Sequence, residues 1–304
     1  MSSANDLLAA QTQRLRSIDP LLPPAEALPH AEVLVAGPVA GSLLRSDHPE
    51  GSPARLWSAG HVCELVPVLG DAGLAGMNTL LEAWRERLPD LELPDSDSAC
   101  VVCWPSRDVE IARALLDHGF VPLSVIAVNT PLEAPRPCPQ GDGVRPAGPS
   151  DLEVCLRLTL AEQAYSTLVG GAVLREDTEE VKRRLLATRL QRGEPIWLAE
   201  QDGLAVGIAE CGYSDAVPGS RMASRLPAGR WGYINCASVL PGTRGQGVGG
   251  RLVGRAHAAF AAAGVVGAYL YYNPPNPLSS VFWPRHGYRP LWTVWELRPA
   301  TALR

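Results

Sequence analysis

The segment with the clearest potential for chemistry is a glycine-rich turn between an apolar strand and a helix. It runs Val239-Leu240-Pro241-Gly242-Thr243-Arg244-Gly245-Gln246-Gly247-Val248-Gly249-Gly250. Its glycines remove side chains from the turn, so a ligand can approach the backbone closely. The helix that follows begins with free N–H groups and a partial positive charge, which favours a phosphate. The turn therefore predicts a pyrophosphate-binding loop.

Two other phosphate-binding motifs match this turn less well. A P-loop requires a lysine after its glycines, and none follows here. The dinucleotide fingerprint Gly-x-Gly-x-x-Gly is nearly met, yet a Rossmann unit places an acidic residue about 20 residues further on. Residues 251–271 contain no Asp or Glu. A nucleotide-dependent oxidoreductase is therefore the least favoured interpretation, and a glycine-rich turn without a ligand is the structural alternative.

A third pattern fits the turn better. Arg244-x-x-Gly247-x-Gly249, with Val239-x-Pro241 just before it, resembles the acyl-CoA pyrophosphate loop of the GNAT acyltransferase superfamily. The resemblance implies that the loop binds the pyrophosphate of acetyl-CoA, and that the fourth strand and an Asn after the fifth strand bind its pantetheine arm. The implied cofactor-binding residues are Ala237, Val239, Arg244, Gly245, Gln246, Gly247, Val248, Gly249, Gly250 and Asn273. For Asn273, a turn role beside Pro274-Pro275 is the alternative.

The motif His-Gly-aromatic-x-Pro-Leu occurs twice in the chain. It starts at His118 and again at His286, and each copy lies between two strand-like runs. The motif predicts a unit of a strand, a helix that ends in a glycine C-cap, and a second strand. Self-similarity at the spacing of a domain indicates a duplicated fold.

The first copy also has a weaker counterpart of the glycine-rich turn upstream of it. Gly76 falls where Gly247 falls, but Gly73 stands at the position of Arg244. Asp71 adds a negative charge near the place of the phosphate. We expect this first loop to bind coenzyme A poorly or not at all.

A stretch rich in proline and glycine, residues 129–150, divides the chain and is typical of a linker. We predict a degenerate N-terminal domain at 1–135 and a linker at 136–150. The C-terminal acyl-CoA-binding domain is predicted at 151–304, with its first strand from about residue 144.

The C-terminal half has the predicted element order β-α-α-β-β-β-α-β-α-β, which is the order of the GNAT fold. It includes a helix at 178–191 and a strand at 267–272. We predict the α/β (α+β) class, with two tandem GNAT-like domains, each a mixed, mostly antiparallel sheet flanked by helices. The layout resembles that of the mycothiol synthases, which also pair two such domains.

The resemblance implies direct attack of an amine on the thioester, which requires a base, an oxyanion donor and an acid. The backbone N–H of Val239 is the expected oxyanion donor. Glu210, on the third strand, is the nearest carboxylate candidate for the base. Glu162 and Tyr165, on the first helix, are expected to line the acceptor cleft. A solvated surface charge is the alternative for each carboxylate.

The general acid is less evident, because Trp283 stands where the family often has a tyrosine. An indole N–H cannot act as a general acid at neutral pH. The role passes to one of three hydroxyl groups, or to water: Tyr271, Tyr272 and Ser279. An acyl-cysteine route through Cys236 is disfavoured, since no His lies near it in the sequence.

The composition of the chain argues against several classes of protein. With 304 residues and 46% hydrophobic content, the chain has room for two domains. A net charge of −5 argues against a general nucleic-acid binder. No apolar run is long enough for a membrane span, and the first residues lack a secretory signal. The cysteines are scattered, Cys100 and Cys103 among them, and histidines such as His257 and His286 are isolated, so we predict no metal site. The scattered cysteines also predict a cytoplasmic protein.

The sequence therefore predicts an enzyme, an acyl-CoA-dependent N-acyltransferase. It would move an acetyl or other short acyl group to an amine of a small molecule or peptide. The alternative is a non-catalytic acyl-CoA sensor or scaffold, which Trp283 and the absence of a carboxylate on the fourth strand allow. We expect a monomer or homodimer with no nucleic-acid or membrane partner.

Overall fold

The computed structural model describes residues 4–26, 32–132, 143–220 and 222–303, which form eleven strands and seven helices. The strands are β1 (Glu32–Ala36), β2 (Val39–Asp47), β3 (His61–Val68), β4 (Ser98–Pro105), β5 (Val121–Asn129), β6 (Val144–Pro146), β7 (Ile196–Gln201), β8 (Leu204–Ala216), β9 (Gly229–Val239), β10 (Gly267–Tyr272) and β11 (Arg289–Leu297). The helices are α1 (Ala4–Ile18), α2 (Gly73–Arg87), α3 (Val109–Asp117), α4 (Leu152–Leu168), α5 (Thr178–Gln191), α6 (Val248–Ala262) and α7 (Ser279–Arg285).

The eleven strands form one continuous sheet in the order β1-β2-β3-β4-β11-β5-β10-β9-β8-β7-β6. Only the pairs β3–β4 and β10–β9 are parallel, and the other pairs are antiparallel. The predicted fold class, a mixed and mostly antiparallel sheet flanked by helices, is therefore confirmed. The sheets of the two halves are joined edge to edge.

The join is made by an exchange of strands between the halves. β11, the last strand of the second half, pairs with β4 from Trp292↔Pro105 to Leu297↔Cys100. β5, the last strand of the first half, pairs with β10 along residues 125–129. Each half thus covers a strand edge that the other half would leave unpaired. Part of the linker predicted at 136–150 lies outside the described residues.

The two copies of the His-Gly motif form the same helix end. After α3, the Phe120 N–H donates to the Leu115 carbonyl oxygen (2.9 Å) and Gly119 has a φ of +91°. After α7, the Tyr288 N–H donates to the Trp283 carbonyl oxygen (3.2 Å) and Gly287 has a φ of +83°. Both are Schellman motifs, in which a left-handed glycine closes the helix. The predicted glycine C-caps are confirmed.

Helix α6 is held against the sheet by an apolar face that repeats every fourth residue. Leu252, Ala256 and Phe260 are fully buried. A Cβ atom on Gly232 of β9 would lie 2.5 Å from the Phe260 ring, so glycine is required for this close approach. Burial of each Leu or Phe side chain contributes about 1.5–3 kcal/mol. The packing fixes the helix, and hence the turn that precedes it, relative to β9.

Local predictions for the second half agree closely with the structure. The helix predicted at 178–191 is α5, and the strand predicted at 267–272 is β10. Among the described residues, no helix combines the length and apolarity needed to cross a membrane.

Candidate functional site

The glycine-rich turn has the predicted path from strand to helix. Gly245 and Gly247 have φ values of +79° and +76°, in the left-handed region that glycine adopts without strain. The first main-chain bond of α6 runs from the Arg251 N–H to the Gly247 carbonyl oxygen (3.1 Å). The N–H groups of residues 248–250 therefore precede the helical ladder and carry the positive end of the helix dipole.

One of the last two glycines of the turn serves a packing role. A Cβ atom on Gly249 would lie 3.0 Å from the ring of Phe282 in α7, so this glycine lets the start of α6 approach α7. A Cβ atom on Gly250 would lie 3.5 Å from Nε2 of His286, which is an ordinary contact. The sequence pattern did not indicate the packing role of Gly249. The Val248 side chain is buried in the core, so only its backbone is available to a ligand at the turn.

Strands β9 and β10 separate beside this turn. Their parallel pairing ends at Leu270↔Ile234, although β9 continues to Val239. A β-bulge at Asn235 interrupts the pairing of β9 with β8 at the same level. Such a bulge bends the strand locally. The end of β9 therefore has an edge that β10 does not cover.

The backbone of this uncovered edge has a fixed orientation. The Leu240 N–H donates to the Val206 carbonyl oxygen of β8 (2.9 Å). Alternate residues of a strand direct their N–H and C=O groups to opposite edges. The backbone groups of Ala237 and Val239 consequently face the gap between β9 and β10, where an extended ligand can pair with them.

Arg244 joins the turn to the strand. Its Nε donates to the Val239 carbonyl oxygen (3.0 Å), and its guanidinium lies 5.4 Å from the ring centre of Tyr165 in α4. A cation over an aromatic face is an attractive arrangement. Arg251, which the sequence did not single out, donates from Nη1 to the Gln246 carbonyl oxygen (3.3 Å). Two guanidinium groups thus flank the glycines.

A groove of about 380 Å³ runs between α4 and the end of β9. Its walls are mostly apolar, and Arg244 lies at the end nearest the turn. The lining residues are Ala161, Ala164, Tyr165, Leu168, Ser238, Val239, Leu240, Pro241 and Arg244. The groove thus connects the glycine-rich turn with the uncovered edge of β9.

A second cavity, of about 350 Å³, lies between the end of α5 and the bulged part of β9. Its lining residues are Arg189, Glu194, Pro195, Gly212, Tyr213, Tyr233 and Asn235. The Tyr233 hydroxyl donates to Oδ1 of Asn235 (3.1 Å), and its ring stacks on Tyr269 at 4.7 Å. This cavity is more polar than the groove and adjoins the same gap between strands.

Glu210 is buried at 5% exposure and forms an ion pair with Arg189. Arg189 also binds Glu194 (Nε to Oε2, 2.6 Å) and the Cys211 carbonyl oxygen. One guanidinium therefore holds two carboxylates and a backbone group beside the second cavity. The predicted base has a charged partner that fixes its position.

The hydroxyl candidates for the general acid lie in different surroundings. Tyr271 is 42% exposed and meets the rings of Tyr233 and Tyr269 edge-on. Tyr272 packs against the core beneath α6, and burial raises the pKa of its phenol. The Ser279 hydroxyl donates to the Asn276 carbonyl oxygen (3.4 Å) at the start of α7. The structure does not gather these three groups at one point.

Trp283 and Asn273 have structural contacts. The Trp283 indole is buried and packs edge-on against Phe282 and Tyr288. Nδ2 of Asn273 donates to the Leu123 carbonyl oxygen of β5 (2.7 Å). A Cβ atom on Gly171 would lie 2.0 Å from Oδ1 of Asn273, so this amide is packed against the connection between α4 and α5. Contact of Asn273 with a cofactor stays a prediction.

Glu162 is a carboxylate whose importance the sequence understated. The Ser166 hydroxyl donates to its Oε1, while its Oε2 is buried without a hydrogen-bond partner among the described residues. Burial raises the pKa of this carboxyl above its ordinary value. No group of three or more His, Cys, Asp or Glu side chains in the described ranges is arranged to hold a metal ion.

Known proteins resemble this chain in sequence over part of its length and in fold over nearly all of it. Residues 161–288 match the model of the Acetyltransferase (GNAT) family. A GCN5-related N-acetyltransferase from Sphaerobacter thermophilus is 16% identical, with 98% of this chain and 95% of that chain covered and a TM-score of 0.58. A GNAT-family acetyltransferase from Colwellia psychrerythraea is 12% identical, with 97% of each chain covered and a TM-score of 0.51. No curated protein matches the sequence.

Proposed function

We propose that this chain, whose residues 161–288 match the model of the Acetyltransferase (GNAT) family, transfers an acetyl or other short acyl group from acyl-CoA to an amine. The acceptor amine would belong to a small molecule or a peptide. The observation that carries the proposal is the uncovered edge of β9, which leads directly into the left-handed glycine turn at the start of α6.

The cofactor would lie along this edge and across the turn. The N–H groups of residues 248–250 and the guanidinium groups of Arg244 and Arg251 suit a pyrophosphate, because they supply donors and positive charge. Pantetheine would pair with the outward-facing backbone of Ala237 and Val239. Gly245 and Gln246 would contribute backbone contacts, and Asn273 would mark the far end of the arm.

The chemistry would be direct attack on the thioester. An uncharged amine nitrogen forms a bond to the carbonyl carbon, the C–S bond breaks, and the thiolate leaves with a proton. The Val239 N–H would bind the developing oxyanion, which is the contribution that preorganised backbone donors make in acyl transfer. Glu210 is a candidate base, and Tyr271, Tyr272 and Ser279 are candidate acids. Of these three, Tyr271 is the exposed group on the face that carries Tyr233 and Tyr269.

One observation favours a second candidate function, a non-catalytic acyl-CoA sensor. Trp283, at the position where the family often has its acid, is buried and cannot donate a proton at neutral pH. A sensor would bind acyl-CoA without consuming it. Release of free thiol in the presence of an amine distinguishes the two functions.

The first half is proposed to be a degenerate copy within residues 1–135, joined through 136–150 to the domain at 151–304. Five cysteines in the described ranges are free and buried, namely Cys63, Cys100, Cys155, Cys211 and Cys236, which suits a reducing compartment and supports a cytoplasmic location. One copy of the chain contains both halves of the sheet, so a monomer would suffice and a homodimer is the alternative.

The test is calorimetric titration of the purified protein with acetyl-CoA. We expect one molecule bound per chain, and no binding by Gly247→Trp, because the indole would fill the turn. Gly264→Trp is the matched control. Gly264 also has a positive φ (+65°) next to open space, but it lies at the opposite end of α6. This variant should bind as the wild type does. Failure of the wild type to bind any CoA ester would overturn the proposal.

A further inference from the structure

Helix α4 carries two neighbouring polar side chains whose hydrogen bonding is incomplete within the described part of the chain. Two buried acceptor atoms on this helix have no hydrogen-bond partner among the described residues: Oε2 of Glu162 and Oε1 of Gln163. Buried acceptors without donors are rare and costly in folded proteins. The unpartnered oxygen of Glu162 indicates a place for a ligand that supplies N–H groups, and an amine is such a ligand.

The position of Glu162 relates it to the uncovered edge of β9. Its helix packs on β9, and Ala161 and Tyr165, on either side of it in the helix, line the groove that follows β9. Beneath the helix, burial raises the pKa of the Cys236 thiol, and the charge of Glu162 raises it further. Cys236 precedes Ala237, whose backbone faces the gap between the strands. The carboxyl group therefore lies on the side of β9 that α4 covers, close to the strand segment whose backbone faces the gap.

We infer that Glu162 is the general base of the proposed reaction and removes the proton from the acceptor ammonium. The inference rests on the proposed function. It differs from the sequence prediction, in which Glu210 was the carboxylate candidate. Glu210 is already paired with Arg189, whereas one oxygen of Glu162 is left available.

The surroundings of Glu162 make its carboxylate more basic than an exposed one. Four groups act on it from the elements packed around it: Ser166 on α4, Lys182 on α5, Glu210 on β8 and Cys236 on β9. Burial raises the pKa of the Glu162 carboxyl, while the hydrogen bond from Ser166 and the charge of Lys182 lower it. A carboxylate with a raised pKa accepts a proton more readily than an exposed one.

The N-terminal half completes this environment. The carbonyl oxygen of Leu56 accepts hydrogen bonds from Nε2 of Gln163 (3.0 Å) and from the Val173 N–H (2.9 Å). The ring of Trp57 lies 5.2 Å from the ammonium group of Lys182. Residues of the first half thus cover the end of α4 that bears Glu162. Exclusion of water at this place strengthens the electrostatic interactions within it.

One carboxylate is enough to account for every proton that moves in the reaction. The ammonium gives one proton to Glu162, and the neutral nitrogen attacks the carbonyl carbon of the thioester. The nitrogen of the tetrahedral intermediate gives its second proton to the departing thiolate when the C–S bond breaks. The products are the amide, free coenzyme A thiol and a protonated Glu162, which returns its proton to solvent.

The experiment compares two amines in a free-thiol assay with acetyl-CoA. Benzylamine is charged at neutral pH and needs a base, whereas hydroxylamine is uncharged and does not. We expect Glu162→Gln to lower kcat/KM for benzylamine by about 100-fold or more and to change that for hydroxylamine little. In the variant, kcat/KM for benzylamine should rise with pH only in proportion to the fraction of uncharged amine, whereas the wild type should show an additional rise that belongs to Glu162.

Glu153→Gln is the matched control, because Glu153 is an exposed residue of the same helix. It should keep the wild-type rates with both amines, and all variants should bind acetyl-CoA equally. Wild-type rates of Glu162→Gln with benzylamine would overturn the inference, as would equal losses with both amines. Binding of acetyl-CoA with no transfer to either amine by the wild type would overturn the proposed amine transfer and the role of Glu162 with it.

Discussion

The two halves of the molecule contain the same kind of gap beside a strand that precedes a glycine-containing turn. In the second half, the pairing of β9 with β10 ends at Leu270↔Ile234. In the first half, the pairing of β3 with β4 ends at Leu65↔Val102, although β3 continues to residue 68. The gap in the second half is open and the gap in the first half is covered. The two halves therefore differ in what packs against the strands and not in how the strands pair.

Helix α1 covers the gap of the first half. Oε1 of Gln11 accepts hydrogen bonds from the N–H groups of Leu69 (2.9 Å) and Gly70 (3.1 Å), and all three groups are buried. A Cβ atom on Gly70 would lie 3.0 Å from Leu7, and Arg14 binds Asp108 at 2.7 Å. A side chain of α1 therefore satisfies backbone donors at the place where the second half presents its loop to solvent. In the first half, the chain itself thus supplies the hydrogen-bond acceptor for these donors.

The charges of the two loops also favour a ligand at the second loop over one at the first. Arg244 lies beside the second loop, while Gly73 stands at its place in the first and begins α2. Asp71 adds a negative charge to the first loop. Arg14 lies near Gly73 but is paired with Asp108, so the second loop suits a phosphate better, in line with the expectation that the first half binds coenzyme A poorly.

The largest effect should come from the contact that covers the first gap. Gln11→Ala removes the acceptor of two buried N–H groups, so we expect the free energy of unfolding to fall by about 2–4 kcal/mol. Urea denaturation monitored by circular dichroism measures this change. Gln13→Ala, at an exposed position of the same helix, should cost about 0.5 kcal/mol or less.

Acetyl-CoA titration of Gln11→Ala tests the comparison itself. We expect the binding stoichiometry to stay at one per chain, because the first loop still lacks an arginine. A second bound molecule would mean that α1 alone had kept the first site closed, and the difference in charge would then be unimportant.

A smaller effect should follow from replacing Arg244, for which the first loop has no counterpart. Arg244→Ala removes a charged donor from the second loop, and we expect acetyl-CoA to bind about 10–100-fold more weakly. Acetylpantetheine, which has no pyrophosphate, should bind the variant and the wild type alike. Arg157→Ala, an exposed change on α4, should leave both affinities unaltered. Equal weakening for both ligands would place Arg244 at the pantetheine arm instead.

The elements of the second half could be predicted because their signals are local. The helix α5 starts after Asp177 with Glu179 and Glu180 in its first turn, a pattern that favours a helix N-terminus. Strands β1 and β2 were not predicted. β1 is an edge strand whose Val33 and Val35 are 62% and 68% exposed, and its short connection to β2 contains Pro38. Such a strand depends on its partner more than on its own pattern.

The exchange of β5 and β11 had no local signal either. Both strands follow a Schellman turn, and nothing in the residues around Gly119 or Gly287 specifies which half provides the neighbour. Glu162 is a similar case, since its surroundings depend on Leu56 and Trp57, which are distant in the sequence. The turn residues of the site were predictable because positive φ selects glycine, whereas the base depends on tertiary contacts.

The smallest expected effect concerns a pair of side chains that packs at helix α6 in the second half and the corresponding pair at helix α2 in the first half. In the second half, Nε2 of His257 on α6 lies 2.9 Å from the Tyr288 hydroxyl, and burial lowers the pKa of His257 to about 4. In the first half, Phe120 occupies the place of Tyr288 and stacks on Trp84 at 6.0 Å. The second half therefore contains a titratable pair where the first has an apolar one.

His257 makes stability depend on pH through the difference between its folded pKa, about 4, and its ordinary value of 6.5. Between these values the unfolded chain binds a proton that the folded chain does not, so stability is full above pH 6.5 and is lost as the pH falls towards 4. From pH 7 to pH 5 we expect the wild type to lose about 1–2 kcal/mol more than His257→Gln in urea denaturation. Gln13→Ala, an exposed change on α1, should keep the wild-type pH dependence. If His257→Gln also keeps it, the polar pair is not the source of the acid sensitivity, and the two halves would respond to pH alike.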